Sequence, residues 1–199
     1  NHWWDPQSSG STIGIISDST WIEPSSDVIN LLYDSNYSME VNYGWNLLSN
    51  DWLIRIYLSG GSPREVIFNN SKIMQVYIFG DGSSNSFRFC VDDNFPNSSS
   101  SNHEVSPWYA IDWVGWKLVS WDMSIDETGS WIGDGSLDGN MRFDSFQIKY
   151  NQGQSQFGKI YIDDFRIVDN VILSTNETNF KQPFSLGRNF PNPFNSSTE

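Results

Sequence analysis

The chain is poor in cysteine, histidine and basic residues, and it has no long apolar run. Its single cysteine, Cys90, cannot close an internal disulfide, so the core must hold without a covalent staple. Cys90 sits in Phe87-Arg-Phe-Cys-Val91, where it reads as a small hydrophobe on a strand. Only two histidines are present: His2 near the start and His103 after a serine tract. A Ser-His-Asp arrangement has little to build on, and Gly129-Ser-Trp-Ile-Gly133 is not a nucleophile elbow. Adjacent acids such as Asp92-Asp93 and Asp163-Asp164 point opposite ways on a strand, so no carboxylate pair asks for a glycosidase. The expectation is a protein that is not an enzyme. Lys and Arg total 11 against 24 Asp and Glu, a net charge of −13. That balance repels phosphate backbones and anionic membranes, which excludes nucleic acid as a partner. A strongly acidic polysaccharide would need a bridging cation, so a neutral glycan or a protein surface fits better. No run approaches the roughly 20 apolar residues that span a bilayer, so membrane insertion is not expected. The chain opens at Asn1 and not Met, as a processed or excised chain would.

What the chain has in abundance is aromatic: 10 Trp, 8 Tyr and 13 Phe in a Ser-, Asn- and Gly-rich background. Disordered chains are poor in such residues. Period-2 runs dominate and predict strands over residues 38–43, 52–58, 72–79, 86–91, 116–121, 143–150 and 159–168. Turn-forming clusters separate them, including Gly80-Asp-Gly-Ser-Ser-Asn85 and Gly133-Asp-Gly-Ser-Leu-Asp-Gly139. No helical stripe is sustained; Asp27–Tyr33 suits either a short helix or an opening strand. The fold expected is all-β, an antiparallel two-sheet β-sandwich of the jelly-roll kind. Residues 1–175 form the sandwich, and 176–199 a linker and tail.

Strand parity nominates a recognition face. Trp52, Ile54, Ile56 and Leu58, then Met74, Val76 and Ile78, then Phe87, Phe89 and Val91, form the core-facing sets. The other parity presents Arg55, Tyr57, Gln75, Tyr77 and Arg88, joined by Trp121 and Lys117. Flat rings cover the apolar faces of sugars while Arg and Gln donate to hydroxyls, so this set suits a carbohydrate groove. The same residues equally suit cross-strand stacking that stabilises an exposed sheet. Trp108, Tyr109, Trp113 and Trp131 fall in or near loops, where they either make a second contact surface or cap the core.

Several of these stretches resemble carbohydrate-binding modules of the galactose-binding-like jelly-roll type. Gly115-Trp-Lys-Leu-Val-Ser-Trp-Asp122 resembles their Gly-Trp strand, and Gly158-Lys-Ile-Tyr-Ile-Asp-Asp-Phe-Arg-Ile-Val168 their closing strand. The resemblance runs from about Ser11 to Val168 and implies glycan binding and a structural Ca²⁺. It puts that ion on Asp163, with Asp34 in a loop nearer the N-terminus as partner. Asp134 and Asp138 carry the D-x-S-x-D-G spacing of a second calcium loop, or of a plain turn; Asp81 shares the ambiguity. The end of the chain, Leu186-Gly-Arg-Asn-Phe-Pro-Asn-Pro-Phe-Asn-Ser-Ser-Thr-Glu199, resembles the opening of a type A sorting domain. That resemblance implies export by the type IX secretion machinery to the cell surface or medium, although Ser196 stands where Pro is usual. Two other readings stay open: a homo-assembling subunit of an extracellular filament or surface layer, joined through sheet edges and tail, and a glycan-degrading enzyme.

Overall fold

The computed structural model describes residues 2–32, 36–97, 99 and 101–170. Eleven strands follow one another: β1 (Trp21–Ser25), β2 (Ser38–Gly44), β3 (Ile54–Tyr57), β4 (Lys72–Asp81), β5 (Ser86–Phe95), β6 (His103–Val105), β7 (Tyr109–Ala110), β8 (Val114–Asp122), β9 (Gly129–Ser130), β10 (Asn140–Lys149) and β11 (Phe157–Asp169). The seven predicted strands are all present, within a few residues at each end. Four were missed: β1, five residues that include Pro24, and β6, β7 and β9, which are two or three residues long and show no periodicity. Asp27–Leu32 forms bends and turns; the opening strand is β1, upstream.

All pairings are antiparallel. One sheet runs β1-β2-β11-β4-β8, the other β3-β10-β5-β6-β9 with β7 also on β5. The inward parity of both sheets meets in one core, with Val41, Ile54, Ile56, Val76, Phe89 and Trp121 among its fully buried members. Phe143, Phe146 and Phe165 hold it together from two sheets, with ring centroids 4.4 to 5.1 Å apart.

Two irregularities decide where side chains point. In β10 the register slips between Phe143 and Ser145. Phe143 and Phe146, three apart, are therefore both in the core, while Asp144 and Ser145 occupy the bulge between them. In β11 a slip between Asp163 and Arg166 moves the inward set from Ile160 and Ile162 to Phe165 and Ile167. Asp164 takes a φ of 47° at that bulge. The buried tyrosine of β2, Tyr43, donates to Asp81 at 2.6 Å and accepts from the Ser83 hydroxyl at 2.8 Å, which ties the Gly80–Asn85 turn to the sheet. Gly158 is needed there, because a Cβ would lie 2.1 Å from the Tyr43 hydroxyl.

Candidate functional site

The outward parity of the six-stranded sheet lines up in rows. Arg55 on β3, Gln147 on β10 and Arg88 on β5 stand in register across three strands. The next row is Tyr57, Ser145, Cys90 and Val105. A third runs Arg142, Asp92 and His103. The β10 bulge adds Asp144 to this face, and Arg64 arrives from the loop after β3. Together they line a cleft of about 260 Å³.

Charge on this face is unusually deep for a sheet exterior. Asp144 is fully buried and is gripped by Arg55, whose Nη2 and Nε donate to its two oxygens at 2.7 and 3.2 Å. Asp92, also buried, accepts from Arg64 at 2.8 Å, from Arg142 at 2.9 Å and from His103 Nε2 at 2.9 Å. Arg64 also donates to the Phe143 carbonyl at 2.6 Å. Burial works against a charge on His103, but the Asp144 and Asp92 carboxylates outweigh it and raise its pKa to about 9. Burial likewise opposes ionisation of Asp144, yet His103 and Arg55 bring it down to about 2. Asp92 is lowered for the same kind of reason, against its own burial. Both carboxylates and the imidazolium are charged at neutral pH.

Rings frame the charges. The Arg55 guanidinium lies 4.3 Å from the Tyr57 ring centre and 5.4 Å from that of Trp131. Trp4 meets Tyr57 edge-on at 5.1 Å, and Trp131 meets His103 edge-on at 5.6 Å. Farther along the face, Arg88 sits 4.0 Å over Trp108, with Lys149 on the same ring at 4.7 Å. Burial lowers the Arg88 pKa to about 10. Arg88 also donates to Gln147 Oε1, while the buried Gln147 Nε2 has no partner among the described residues.

The expected groove is therefore split. Arg55, Tyr57 and Arg88 share this face, but Gln75 and Tyr77 are on β4, in the other sheet, and look out of the opposite side of the sandwich. There Gln75 accepts from Arg166 at 3.0 Å, and Arg166 lies over Tyr77. Parity along one strand says which residues share a side, but not which sheet a strand joins. Trp121 needs a correction: it has the parity of Val119, faces inward and is 0% exposed. Lys117, of the same parity but exposed, lies 4.3 Å over Trp113. Asp92 continues the Arg88–Cys90 parity and was within reach of sequence reasoning. Asp144 was hidden by a bulge, and Arg64, Arg142 and His103 by their distance along the chain.

The candidate metal ligands separate as well. Asp81 accepts from Tyr43, Ser83 and Lys159, so its oxygens are occupied. Asp134 and Asp138 are exposed, and Asp134 caps its own turn by accepting from Ser136 at 2.8 Å. Their loop is held from outside, by Glu104 accepting from Asp134 and Gly135, and Asp93 from Asp138. Asp163 lines a recess of about 210 Å³ beside Asp164, Trp3 and Tyr37. One Asp163 oxygen accepts from Asp164 N; the other is buried with no partner among the described residues. Asp34 lies outside the described residues, as does the 176–199 tail. Asp92, His103 and Asp144 do place ligand atoms within 4.8 Å of one another, close enough for an ion. A divalent cation would there face three guanidiniums and a protonated imidazole, so the charge does not fit.

No family model matches the chain, and no curated protein matches it. Solved structures do. A family 11 carbohydrate-binding module from Clostridium thermocellum, in complex with a β-1,3-1,4-mixed-linked tetrasaccharide, superposes with a TM-score of 0.54 at 18% identity, over 84% of this chain and 89% of that one. The family 11 module of the cellulosomal cellulase Lic26A-Cel5E of Clostridium thermocellum gives 0.53 at 17% identity, over 85% and 88%. The Endo-D glycoside hydrolase domain of Streptococcus pneumoniae R6 reaches 0.50 at 12% identity, over 85% of this chain but 22% of that one. Likeness at these identities establishes the fold: the two-sheet β-sandwich of carbohydrate-binding modules.

Proposed function

We propose that this protein is a non-catalytic domain that binds a glycan on the outer face of its six-stranded sheet. The observation that carries the reading is the cleft lined by Tyr57, a half-buried ring that stands beside hydrogen-bonding groups fixed by ion pairs. A pyranose lays its C–H face on such a ring and its hydroxyls on Arg side chains. The arginines there are held by buried carboxylates, so they lose little freedom on binding. The family 11 module solved with a tetrasaccharide supports the reading through its fold. Catalysis is disfavoured by charge. A glycosidase keeps one carboxyl protonated as general acid, whereas Asp92 and Asp144 are both held ionised by cations. Affinity electrophoresis through a polysaccharide panel tests the site. Tyr57→Ala should weaken retention about 10-fold, the loss of roughly 1.4 kcal/mol. Tyr77→Ala, on the far face, should leave it unchanged. Equal behaviour of the two variants would sink the site. Sugar release from the same panel would instead favour an enzyme.

Two finer elements belong to this proposal. A structural Ca²⁺ at Asp163 is supported by that residue's buried, unpartnered oxygen and by the neighbouring Asp164, both hard donors of the kind the ion prefers. Export to the cell surface or medium rests on the Leu186–Glu199 tail. Fractionation of native cells, with the protein found inside the cell envelope and never outside it, would refute export.

A further inference from the structure

We infer that the cleft takes a sugar residue bearing a carboxylate, a uronic acid within a glycan; the inference rests on the glycan-binding reading above. Its wall carries Arg55, Arg64, Arg142 and His103 against only Asp92 and Asp144. With the imidazole protonated, four positive charges oppose two negative ones, a local surplus of two inside a chain of net charge −13.

Hydrogen-bonding capacity points the same way. The acceptors are spent: Asp144 receives Arg55 and Ser145, and Asp92 receives Arg64, Arg142 and His103. The donors are not. Arg142 uses only Nε, and its two terminal nitrogens make no hydrogen bond to the described residues. Arg55 Nη1 is likewise free among them. A neutral sugar brings hydroxyls that must donate as well as accept, and here few acceptors await them. A carboxylate only accepts, and a guanidinium's paired N–H groups match its two oxygens. The cleft's volume of about 260 Å³ suits one sugar residue, being below the roughly 300–1,000 Å³ of sites for drug-sized ligands.

The acidic surface elsewhere does not forbid this. At physiological salt the Debye length is about 8 Å, so distant carboxylates are screened while the lining cations act at contact. The surplus in the wall does the work that a bridging cation would otherwise do.

Isothermal titration of the full chain decides the matter. The probes are glucuronic-acid-bearing xylan oligosaccharides, oligogalacturonates and alginate oligosaccharides, each paired with its carboxyl-reduced form, alongside a neutral glucan panel. The acid form of at least one pair should bind about 10-fold more tightly at low salt, with the advantage shrinking as salt rises. Arg142→Gln should erase the difference between the pair. Arg142→Lys, which keeps the charge but not the fork, should restore part of it. Should Arg142→Gln fold poorly, the salt dependence of the wild-type pair still decides. If reduced or neutral glycans bind as tightly as the acids, the inference is overturned and the glycan reading stands. If nothing in either panel binds, both fall.

Discussion

Asp144 and His103 carry opposite pH dependences that can be separated. His103 has a folded pKa of about 9 against an ordinary 6.5, so the stability it adds is complete below about 6.5 and is lost as pH rises through about 9. A rise of that size is worth on the order of 3 kcal/mol. Asp144 is depressed to about 2 from an ordinary 3.8, so its contribution is complete above about 3.8 and fades as pH falls toward 2. Melting temperature should decline from near pH 6.5 toward pH 9–10, and His103→Gln should flatten that limb. The groups facing His103 are the Asp92 and Asp144 carboxylates and the Trp131 ring; Arg55, Arg64 and Arg142 flank those carboxylates and stay charged throughout. An alkaline limb that survives the substitution unchanged would show that His103 is not its source. Among residues, Arg55, Tyr57 and Arg88 were legible because alternation places them on a strand's outer side. Trp121 was misread because its parity follows Val119 into the core.

At the scale of elements, the bulge in β10 is the feature on which the cleft depends. It lets Phe143 and Phe146 both fill the core while Asp144 reaches the arginines outside. Removing the extra residue leaves Phe143, Ser145, Phe146 and Gln147 in plain in-and-out alternation. Deletion of Asp144 should therefore keep the fold and cost about what Asp144→Ala costs. That cost is roughly 3–5 kcal/mol, because both variants strand Arg55 without its buried partner. Deletion of Gln147 has no bulge to absorb it. It turns Ile148 outward and puts polar side chains in the core, so no folded protein should be recovered. Denaturant unfolding of the two deletions checks this; similar stabilities would refute the bulge's role. The bulge's trace in the sequence is the three-residue spacing of Phe143 and Phe146, out of step with the alternation of Phe146, Ile148 and Tyr150.

For the whole molecule, binding of an ion to the native state alone is read most directly as stability. If Ca²⁺ sits at Asp163, a concentration about 100-fold above its Kd adds about 2.7 kcal/mol. For a chain of this length that is a rise of roughly 5–11 °C in melting temperature over a chelator control. Asp163→Ala should abolish the rise, and a wild-type melt indifferent to calcium would remove the ion from the proposal. At this scale the sequence alone determined the all-β architecture, seven of the eleven strands and the inward set of most of them. Alternation of apolar and polar residues is a local property, and burial of one strand face enforces it. Only the tertiary structure decided which strands share a sheet. It separated Gln75 and Tyr77 from Arg55 and Tyr57, and it drew Arg64, Asp92, His103 and Asp144 into one cleft. Those four are brought together by strand pairing, a loop and a bulge, and the attraction between buried opposite charges acts through space, where no period along the chain records it.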